Sequence, residues 1–370
     1  MELIGLVYLR RHNKMTLQNT GSISFTNISN EFGNQGSIGA YRSTQSIGGR
    51  NWPLDEGFPT SGAVSFSDFY GKRRNIIIDC YTSGGSRVNA GDRARTTVGG
   101  GPTNVTGSRL IIYVNNTFKG NKGGNSRTRY SLRTGGFANA AKMDIILGNS
   151  ARILGAGGNG GAGGTRNENG ANSGKSGEPG QSALALDRNV EEIVLSSGAI
   201  IRAGSGGGGG GGAAAGERDN SKEQAGGGGG GGGSGTPAGN AGAKAGEGSA
   251  AGNAGNSTKG GNGGKGGDAG GNAFGGGGGG GGSWGASNGG EGGKGGENDD
   301  NQAENGDDGN TSGTGGDGGK GLARGSGQSE KDGGSGGASG YSITSVSGVV
   351  IPTPSGGTVQ GPRASGGGIS

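Results

Sequence analysis

Residues 273–284 read AFGGGGGGGGSW, with eight consecutive glycines between a phenylalanine and a tryptophan. Two further long runs of glycine occupy 206–212 and 226–233. Glycine loses more conformational freedom on folding than any other residue. Runs of this length are therefore either flexible linkers or elements whose packing leaves no room for a side chain, and the fold depends on which description holds.

A second pattern of glycines has a strict period of three. GGNGGKGGD covers 260–268 and GGEGGKGGE covers 289–297. The same phase recurs in GGNGGAGGT (157–165), GGDGGK (315–320) and GGSGGA (333–338). A flexible linker needs no such phase, whereas the polyproline II conformation has three residues per turn. The period favours an ordered bundle of polyglycine II helices over disorder.

The two glycine patterns predict different positions in such a bundle. A helix with neighbours on every side tolerates no side chain, because its backbone groups must reach other backbones directly. The unbroken runs are therefore expected inside, with Gly206, Gly209, Gly229 and Gly278 as structural glycines. A helix at the surface has room for a polar residue at every third position, and Lys265 is expected on such an outer ridge.

The rest of the chain predicts β structure, so the expected fold class is mainly β and irregular. NIIIDCY (75–81), RLIIYV (109–114) and MDIILGN (143–149) are β-branched runs separated by Gly- and Asn-rich turns. The expected units are a small α+β module over 1–74, a β-rich, sandwich-like domain over 75–154, the glycine bundle with variable loops over 155–340, and a C-terminal β segment over 341–370.

Two internal echoes accompany these units. GSISFTNI (21–28) and GAVSFSDF (62–69) share one pattern, whose apolar alternation predicts short strands followed by helix-start signals. IILGNSARILGAGG, starting at 145, aligns without gaps onto IVLSSGAIIRAGSGG, starting at 193, an offset of 48 residues. The glycine tracts therefore follow strands in a repeated manner, which argues against a linker.

The composition argues against catalysis and cofactor binding. Among 370 residues there are one histidine and one cysteine. His12 lies in the N-terminal extension, so Ser–His and Cys–His nucleophilic arrangements lack a base, and no Cys/His metal spacing exists. The acidic cluster over 297–308 lacks the ordered spacing of a calcium loop. We expect no enzyme, no cofactor and no metal site.

Charge and hydropathy narrow the partners. The net charge is +5, but the arginines are scattered without aromatic residues for stacking on bases, so nucleic acid is not expected. No stretch reaches the roughly 18 apolar residues of a membrane span. The N-terminal apolar run precedes its basic residues, the reverse of a signal peptide. We expect cytoplasmic synthesis without a signal peptide, with Met15 as an alternative start.

Recognition is expected in the loops between glycine tracts, because loops on a rigid scaffold usually carry it. The predicted contact residues are Arg218, Asp219, Asn220 and Lys222 in loop 213–225, and Trp284, Ser287 and Asn288 in loop 283–288. Counting alternation from Gly206 predicts that these loops share one end with 249–259 and 322–332. Phe274 and Trp284 either contact a partner or cap the bundle against water.

Tracts such as GAIIRAGSGGGGGGG and AFGGGGGGGGSW, alternating with polar loops, resemble the receptor-binding adhesins at the tips of T-even-like phage long tail fibres. The resemblance covers roughly residues 150–340. It implies a polyglycine II sandwich whose end loops bind a host outer membrane protein or surface glycan during adsorption. It also implies a virion protein located at the tail or tail-fibre tip.

MTLQNTGSISFTNISNEFG and GAVSFSDFYGK are similar to a module that opens many phage tail proteins. This similarity implies that 1–74 is a virion-attachment module and that residues 1–154 bind other tail or tail-fibre proteins. Two alternatives stay open: a rigid structural spacer of the tail without receptor contact, and an ice-binding glycine-rich protein. Irregular loops and the single cysteine, Cys80, speak against the ice-binding alternative.

Overall fold

The computed structural model describes residues 17–32, 35–42, 45–47, 50–52, 55, 57–80, 87–91, 108–121, 127–137, 140, 142–167, 170–218, 221–246, 248–269, 272–285, 288–298, 301–324 and 326–366. Within them lie the α-helix α1 (Phe25–Phe32) and two 3-10 helices, Ile38–Arg42 and Phe66–Phe69. Residues 90 and 91 are also α-helical. Strands account for most of the regular structure, so the mainly β prediction is confirmed.

The strands follow in chain order: β1 (Gln45–Ile47), β2 (Arg50–Trp52), β3 (Ile76–Asp79), β4 (Val88–Asn89), β5 (Arg109–Val114), β6 (Thr117–Lys119), β7 (Tyr130–Arg133), β8 (Lys142–Leu147), β9 (Arg152–Leu154), β10 (Arg166–Asn167), β11 (Gly170–Ala171), β12 (Ser182–Leu186), β13 (Glu192–Leu195), β14 (Ile200–Arg202), β15 (Ala214–Arg218), β16 (Ser221–Ala225), β17 (Asp268–Ala269), β18 (Ala273–Phe274), β19 (Glu297–Asn298), β20 (Asn301–Gln302), β21 (Leu322–Ala323), β22 (Ser326–Glu330), β23 (Ile343–Ser345), β24 (Thr358–Gln360) and β25 (Arg363–Ser365).

The N-terminal module, residues 17–72, differs from its prediction. The short strands expected over 21–28 and 62–69 are wrong, because the second half of each echo is helical. Ser24 and Ser65 precede α1 and the second 3-10 helix, and serine side chains compete with strand pairing by bonding nearby backbone groups. The module encloses an aromatic core formed by Leu17, Ile28, Phe32, Tyr41, Phe58 and Phe69.

Three parallel sheets form the centre of the chain. The first has the order β13-β8-β5-β3, the second β24-β14-β9-β6 and the third β25-β23-β12-β7-β4. The chain visits them in rotation: β5, β6 and β7 make one round, β8, β9 and β12 the next, and β13, β14 and β23 the one after. Side chains of all three sheets meet in one apolar core, including Leu110, Ile145, Ile153, Leu184 and Ile201.

This arrangement corrects two expectations. The sandwich-like domain over 75–154 is wrong, because sandwiches are built from antiparallel sheets, whereas the described strands of 75–154 pair in parallel. The C-terminal segment is not a separate unit, because β23, β24 and β25 extend the second and third sheets.

The 48-residue echo corresponds to the pairing register between two pairs of neighbouring strands, because paired residues there are 48 positions apart in the chain. Ile145 lies opposite Ile193 where β8 pairs with β13, and Ile153 lies opposite Ile201 where β9 pairs with β14. Equivalent residues of the echo are therefore neighbours in space. The repeated entry of glycine tracts from strands is confirmed, since residue 155 follows β9 and residue 203 follows β14.

Two long insertions interrupt the sheets, and both occur where the chain passes from a strand of the second sheet to a strand of the third. Residues 155–181 separate β9 from β12, and residues 203–342 separate β14 from β23. They contain twelve described segments outside helices and strands, numbered 1 to 12 here: 155–165, 172–181, 203–213, 226–234, 238–245, 249–256, 260–267, 275–283, 289–296, 303–310, 314–321 and 331–341.

Successive segments run antiparallel. The N–H of Gly208 donates to the carbonyl of Gly231, and that of Gly211 to Gly228, so segments 3 and 4 have opposite directions. The same alternation continues to segment 12. The connections between segments therefore lie alternately at two ends. One end adjoins the sheets, because segments 1 and 3 begin directly after strands and segments 2 and 12 lead directly into them.

Segment 8 shows how the segments associate. Its N–H groups donate in three directions in turn: Gly276, Gly279 and Gly282 to segment 3, Gly277 and Gly280 to segment 10, and Gly278 and Gly281 to segment 7. Its carbonyls accept from segments 4, 9 and 11, through Gly228, Gly290 and Gly316. The donor direction repeats every three residues, and segment 8 has six neighbours.

Burial follows the two glycine patterns. The unbroken runs of segments 3, 4 and 8 are buried at every residue, as predicted for interior positions, whereas Lys265 is exposed. A Cβ at any of the four predicted structural glycines would lie well under 3.0 Å from the carbonyl oxygen of another segment: Gly337 for Gly206, Gly334 for Gly209, Gly242 for Gly229 and Gly229 for Gly278.

Candidate functional site

The twelve segments have two dissimilar ends. Near the sheets, the described parts of the connections are short turns and bends at 235–237, 257–259, 285 and 311–313. At the other end the connections contain antiparallel strand pairs: β10 with β11, β15 with β16, β17 with β18, and β19 with β20. This second end is called the hairpin end and comprises 165–172, 213–226, 246–249, 267–275, 297–303 and 321–331. It is the candidate site.

The central hairpin joins two interior segments, 3 and 4. Its strands β15 and β16 pair Glu217 with Lys222 and Arg218 with Ser221, and β22 pairs along the other side of β15. Two of the predicted contact residues, Arg218 and Lys222, therefore lie on this hairpin at its turn. Asp219 and Asn220 lie outside the described residues.

Small side chains pack together in a buried cluster at the hairpin end. Ala214, Ala225, Ala273 and Ala323 form one buried cluster, and each comes from a different strand of the hairpin end. Phe274 is fully buried beside them and lies opposite Leu322 where β18 pairs with β21. Phe274 therefore belongs to the buried layer at the hairpin end. Of the two roles predicted for it, capping the bundle against water describes this position.

Hydrogen bonds tie neighbouring hairpins together. Arg166 Nη1 donates to the carbonyl oxygen of Gln224 (2.7 Å), which connects β10 with β16. The carboxylate of Glu223 accepts from the N–H of Asn272 (2.9 Å). The carbonyl of Asn272 accepts in turn from the N–H of Arg324 (2.8 Å). The hairpins consequently form one connected surface.

An ion pair fixes the last connection. The ammonium of Lys320 lies 2.9 Å from a carboxylate oxygen of Glu330, and the other oxygen of Glu330 accepts from the N–H of Ala323 (3.1 Å). The bond from Lys320, aided by that from Ala323, holds the pKa of Glu330 below its ordinary value. The same pairing raises the pKa of Lys320. Both groups are therefore charged at neutral pH.

The acidic cluster at 297–308 has backbone partners. The carboxylate of Glu304 accepts from the N–H of Lys320 (2.9 Å), and that of Asp308 from the N–H of Gly292 (2.7 Å). Glu297 and Gln302 are exposed at the hairpin. Within the described part of the chain, no group of three or more His, Cys, Asp or Glu residues is arranged to hold a metal ion.

Two of the remaining predicted contact residues, Trp284 and Asn288, lie at the opposite end. Trp284 follows segment 8, is half-buried and forms an antiparallel bridge with Ser312. Its ring covers Gly313, where a Cβ would collide with the indole. Asn288 is exposed, and Ser287 lies outside the described residues. The prediction that loops 213–225 and 283–288 share one end is wrong.

The error has a physical reason. Residues 249–256 form segment 6 rather than a loop, with Asn253 donating to the carbonyl of Asn262 (2.8 Å). A surface segment needs glycine only where it meets an interior one: Gly252 and Gly255 face the carbonyls of segment 4. Their spacing of three is the sequence signal. The same spacing marks segments 5 and 10, at Gly239 and Gly242 and at Gly306 and Gly309.

Comparison with known proteins gives one family match. The model of the family described as Phage tail fibre adhesin Gp38 matches residues 75–275. A solved structure, the crystal structure of the gp37–gp38 adhesin tip complex of the bacteriophage S16 long tail fibre, is similar at 15% sequence identity, with a TM-score of 0.28, over 82% of this chain and 88% of that chain. No curated protein matches the chain. Among the described residues, no helix is long and apolar enough to cross a membrane.

Proposed function

The chain belongs to the phage tail fibre adhesin Gp38 family, whose model matches more than half of it, and we propose that it binds a host bacterial surface receptor through the hairpin end during adsorption. As a member of this family it is a component of the virion tail. The receptor is an outer membrane protein or a surface glycan, and the protein acts without a cofactor.

One observation carries this proposal: the strict alternation of the twelve segments gathers six connections, four of which contain antiparallel strand pairs, at the end remote from the sheets. The sheets are continuous in sequence with the N-terminal module, so the end that adjoins them is suited to mounting. The hairpin end is then free to meet a cell. Polar loops displayed on a rigid support are the usual location of recognition.

The proposed contact residues are those of the central hairpin: Arg218, Asp219, Asn220 and Lys222. Their hairpin emerges from the two interior segments 3 and 4 and has hairpins beside it. Arginine is enriched at binding hot spots near the centre of interfaces. Trp284 and Asn288 belong to the other end, and the proposal assigns no receptor contact to them or to Ser287, which lies outside the described residues.

We propose that the twelve segments are polyglycine II helices, which make the support rigid. Three residues per turn is the repeat of this conformation, and the donor direction in segment 8 repeats with that period. The unbroken runs contain no glycine with positive φ. Each residue from Gly275 to Gly282 of segment 8 both donates and accepts across segments, so bending this segment breaks bonds with several others.

The remaining parts are proposed to mount the protein at the tail or tail-fibre tip. Residues 1–74 are the attachment module, and residues 1–154 bind other tail or tail-fibre proteins. Residues 155–340 are the receptor-presenting bundle, and 341–370 close the sheets. Synthesis takes place in the host cytoplasm without a signal peptide.

The test is binding of the purified full chain to cells of a bacterial strain that the phage infects. Replacing 217–222 by a Gly/Ser sequence of equal length is expected to remove cell binding and the block of phage adsorption. The reason is that the replacement deletes the side chains of the central hairpin while leaving segments 3 and 4 intact. Unchanged melting of the variant would show that the support still folds.

The matched control replaces Ser257, Thr258 and Lys259, which connect segments 6 and 7 at the other end, by Gly/Ser of equal length. This control is expected to bind cells like the original chain. Equal binding by both variants contradicts contact through the central hairpin. A chain that neither binds cells nor blocks adsorption supports the structural spacer instead.

A further inference from the structure

The N-terminal module contains one structural unit twice. In both copies a glycine with positive φ, Gly21 or Gly62, begins the unit. A serine then precedes a helical turn and exchanges hydrogen bonds with the residue three positions later. Ser24 N–H donates to Asn27 Oδ1 (2.9 Å), and Ser65 N–H donates to Asp68 Oδ2 (2.7 Å).

The apolar positions of the two copies also correspond. Ile28 and Phe69 close the units and are both fully buried in the aromatic core of the module. Ile23 and Val64 occupy the second matching position, and both are partly buried against that core. The copies therefore place their apolar side chains alike at these two positions.

The copies differ at the phenylalanine that starts each helix. Phe25 is covered by Tyr41, whose ring meets it edge to face with centroids 6.0 Å apart. Phe66, the equivalent residue, is 44% exposed, and no described aromatic ring contacts it. Only one other large apolar side chain of the described residues is exposed, Val350 at 70%. Phe66 thus occupies the position equivalent to Phe25, but no described ring covers it as Tyr41 covers Phe25.

Phe66 is held in place before any partner arrives. The carboxylate of Asp68 accepts from Ser65, and the N–H of Tyr70 donates to the carbonyl of Ser67 (3.3 Å), which fixes the turn that carries the ring. The hydroxyls of Ser65 and Ser67 lie 2.6 Å apart beside it and form a polar rim. A rigid aromatic side chain with a polar rim is the usual anatomy of a protein–protein anchor.

We infer that Phe66 anchors the module to a protein of the virion tail, whose side chain covers Phe66 as Tyr41 covers Phe25. This inference rests on the proposed mounting through residues 1–154. The partner residue is aromatic, since edge-to-face contact between rings adds to the burial of apolar area. The surface consists of Phe66, Val64 and the hydroxyls of Ser65 and Ser67.

The experiment uses virions of the encoding phage made without this protein, to which the purified full chain is added. Incorporation is measured by sedimentation with the particles. Phe66→Ala is expected to reduce incorporation at limiting protein by about tenfold or more, while Phe66→Tyr keeps the ring and incorporates normally. Melting and cell binding of free Phe66→Ala are expected to match the original chain.

Val350→Ala is the control, because it removes the other exposed apolar side chain and lies outside the module. Normal incorporation of Phe66→Ala overturns the inference, and intact cell binding then leaves the receptor proposal standing. Failure of the original chain to incorporate overturns both the mounting and the inference. Dimers of the original chain that Phe66→Ala abolishes identify a second copy as the occupant and overturn the assignment to a tail protein.

Discussion

Strands that pair side by side in the parallel sheets are followed by glycine segments that also lie side by side, but different forces stabilise the two regions. β9 and β14 pair side by side, and the segments that follow them stay neighbours, with Gly158 donating to the carbonyl of Ser205 (2.8 Å) and Gly161 to Gly208 (2.8 Å). Between the sheets, the interior is filled largely by isoleucine, leucine and phenylalanine side chains. Between the glycine segments, the interior is backbone.

The difference teaches which substitutions each region tolerates. A strand in the sheets hydrogen-bonds to two neighbours and fills its core with side chains, whose total volume matters more than their identity. An interior glycine segment bonds to six neighbours and has no volume to exchange. One net hydrogen bond contributes about 0.5–1.5 kcal/mol, against roughly 1–2 kcal/mol of backbone entropy per residue, so the segments need their bonds to be nearly complete.

The largest expected effect follows from Gly278→Val. A Cβ at this position would lie well under 3.0 Å from the carbonyl oxygen of Gly229, and segment 8 cannot move away because segments surround it on six sides. We expect a loss of about 5 kcal/mol or more in the free energy of unfolding, at the exceptional end for single substitutions. Calorimetry of the full chain measures the loss of stability, and limited proteolysis of the full chain shows whether cleavage within 155–341 increases.

Lys265→Ala is the matched control, since Lys265 occupies an exposed third position on segment 7. Its effect is expected to stay within about 0.5 kcal/mol. If Gly278→Val melts like the control, the interior of the segments is not close-packed backbone and the comparison between the two regions fails.

A smaller effect is expected in the sheets. Ile145 is fully buried in the apolar core, so Ile145→Ala should cost about 2–5 kcal/mol by deleting buried methyl groups and leaving a cavity. Ile145→Leu keeps the volume and should cost less than about 1.5 kcal/mol. Denaturant unfolding measures both. Equal destabilisation by alanine and leucine would mean that this core tolerates a change in side-chain shape as poorly as the glycine interior tolerates an added side chain.

The sequence predicts these two regions to different depths. Strand positions such as 109–114 and the interior position of each unbroken run follow from local composition, because β-branched residues and bare glycine each suit one environment. The parallel pairing was not predictable from any one strand, although the 48-residue echo contained its register. The spacing of Gly252 and Gly255 was too sparse to separate a surface segment from a loop.

The candidate site was predicted less fully than the fold. The region with Arg218 and Lys222 was identified as a connection between two interior tracts, and the structure folds it as the paired strands β15 and β16 rather than as an irregular loop. The end at which 283–288 lies could not be assigned correctly while segment 6 was counted as a loop, since each missed segment reverses the predicted end of all later connections. The covering of Gly313 by Trp284 depends on residues distant in sequence from segment 8, and no local pattern indicates it.

The smallest effect tests how surface segments complete their hydrogen bonds. Asp317 is an exposed third-position residue of GGDGGK, and its carboxylate accepts from the N–H of Gly336 in segment 12 (2.7 Å). Asp317→Ala removes this acceptor and should cost less than about 1 kcal/mol, because water replaces it. Asp317→Asn keeps a carbonyl oxygen at the same place. Amide hydrogen exchange at Gly336 is therefore expected to speed up in the alanine variant alone. Unchanged exchange in Asp317→Ala would mean that the polar third positions provide solubility only, and that the surface segments are held by their interior bonds.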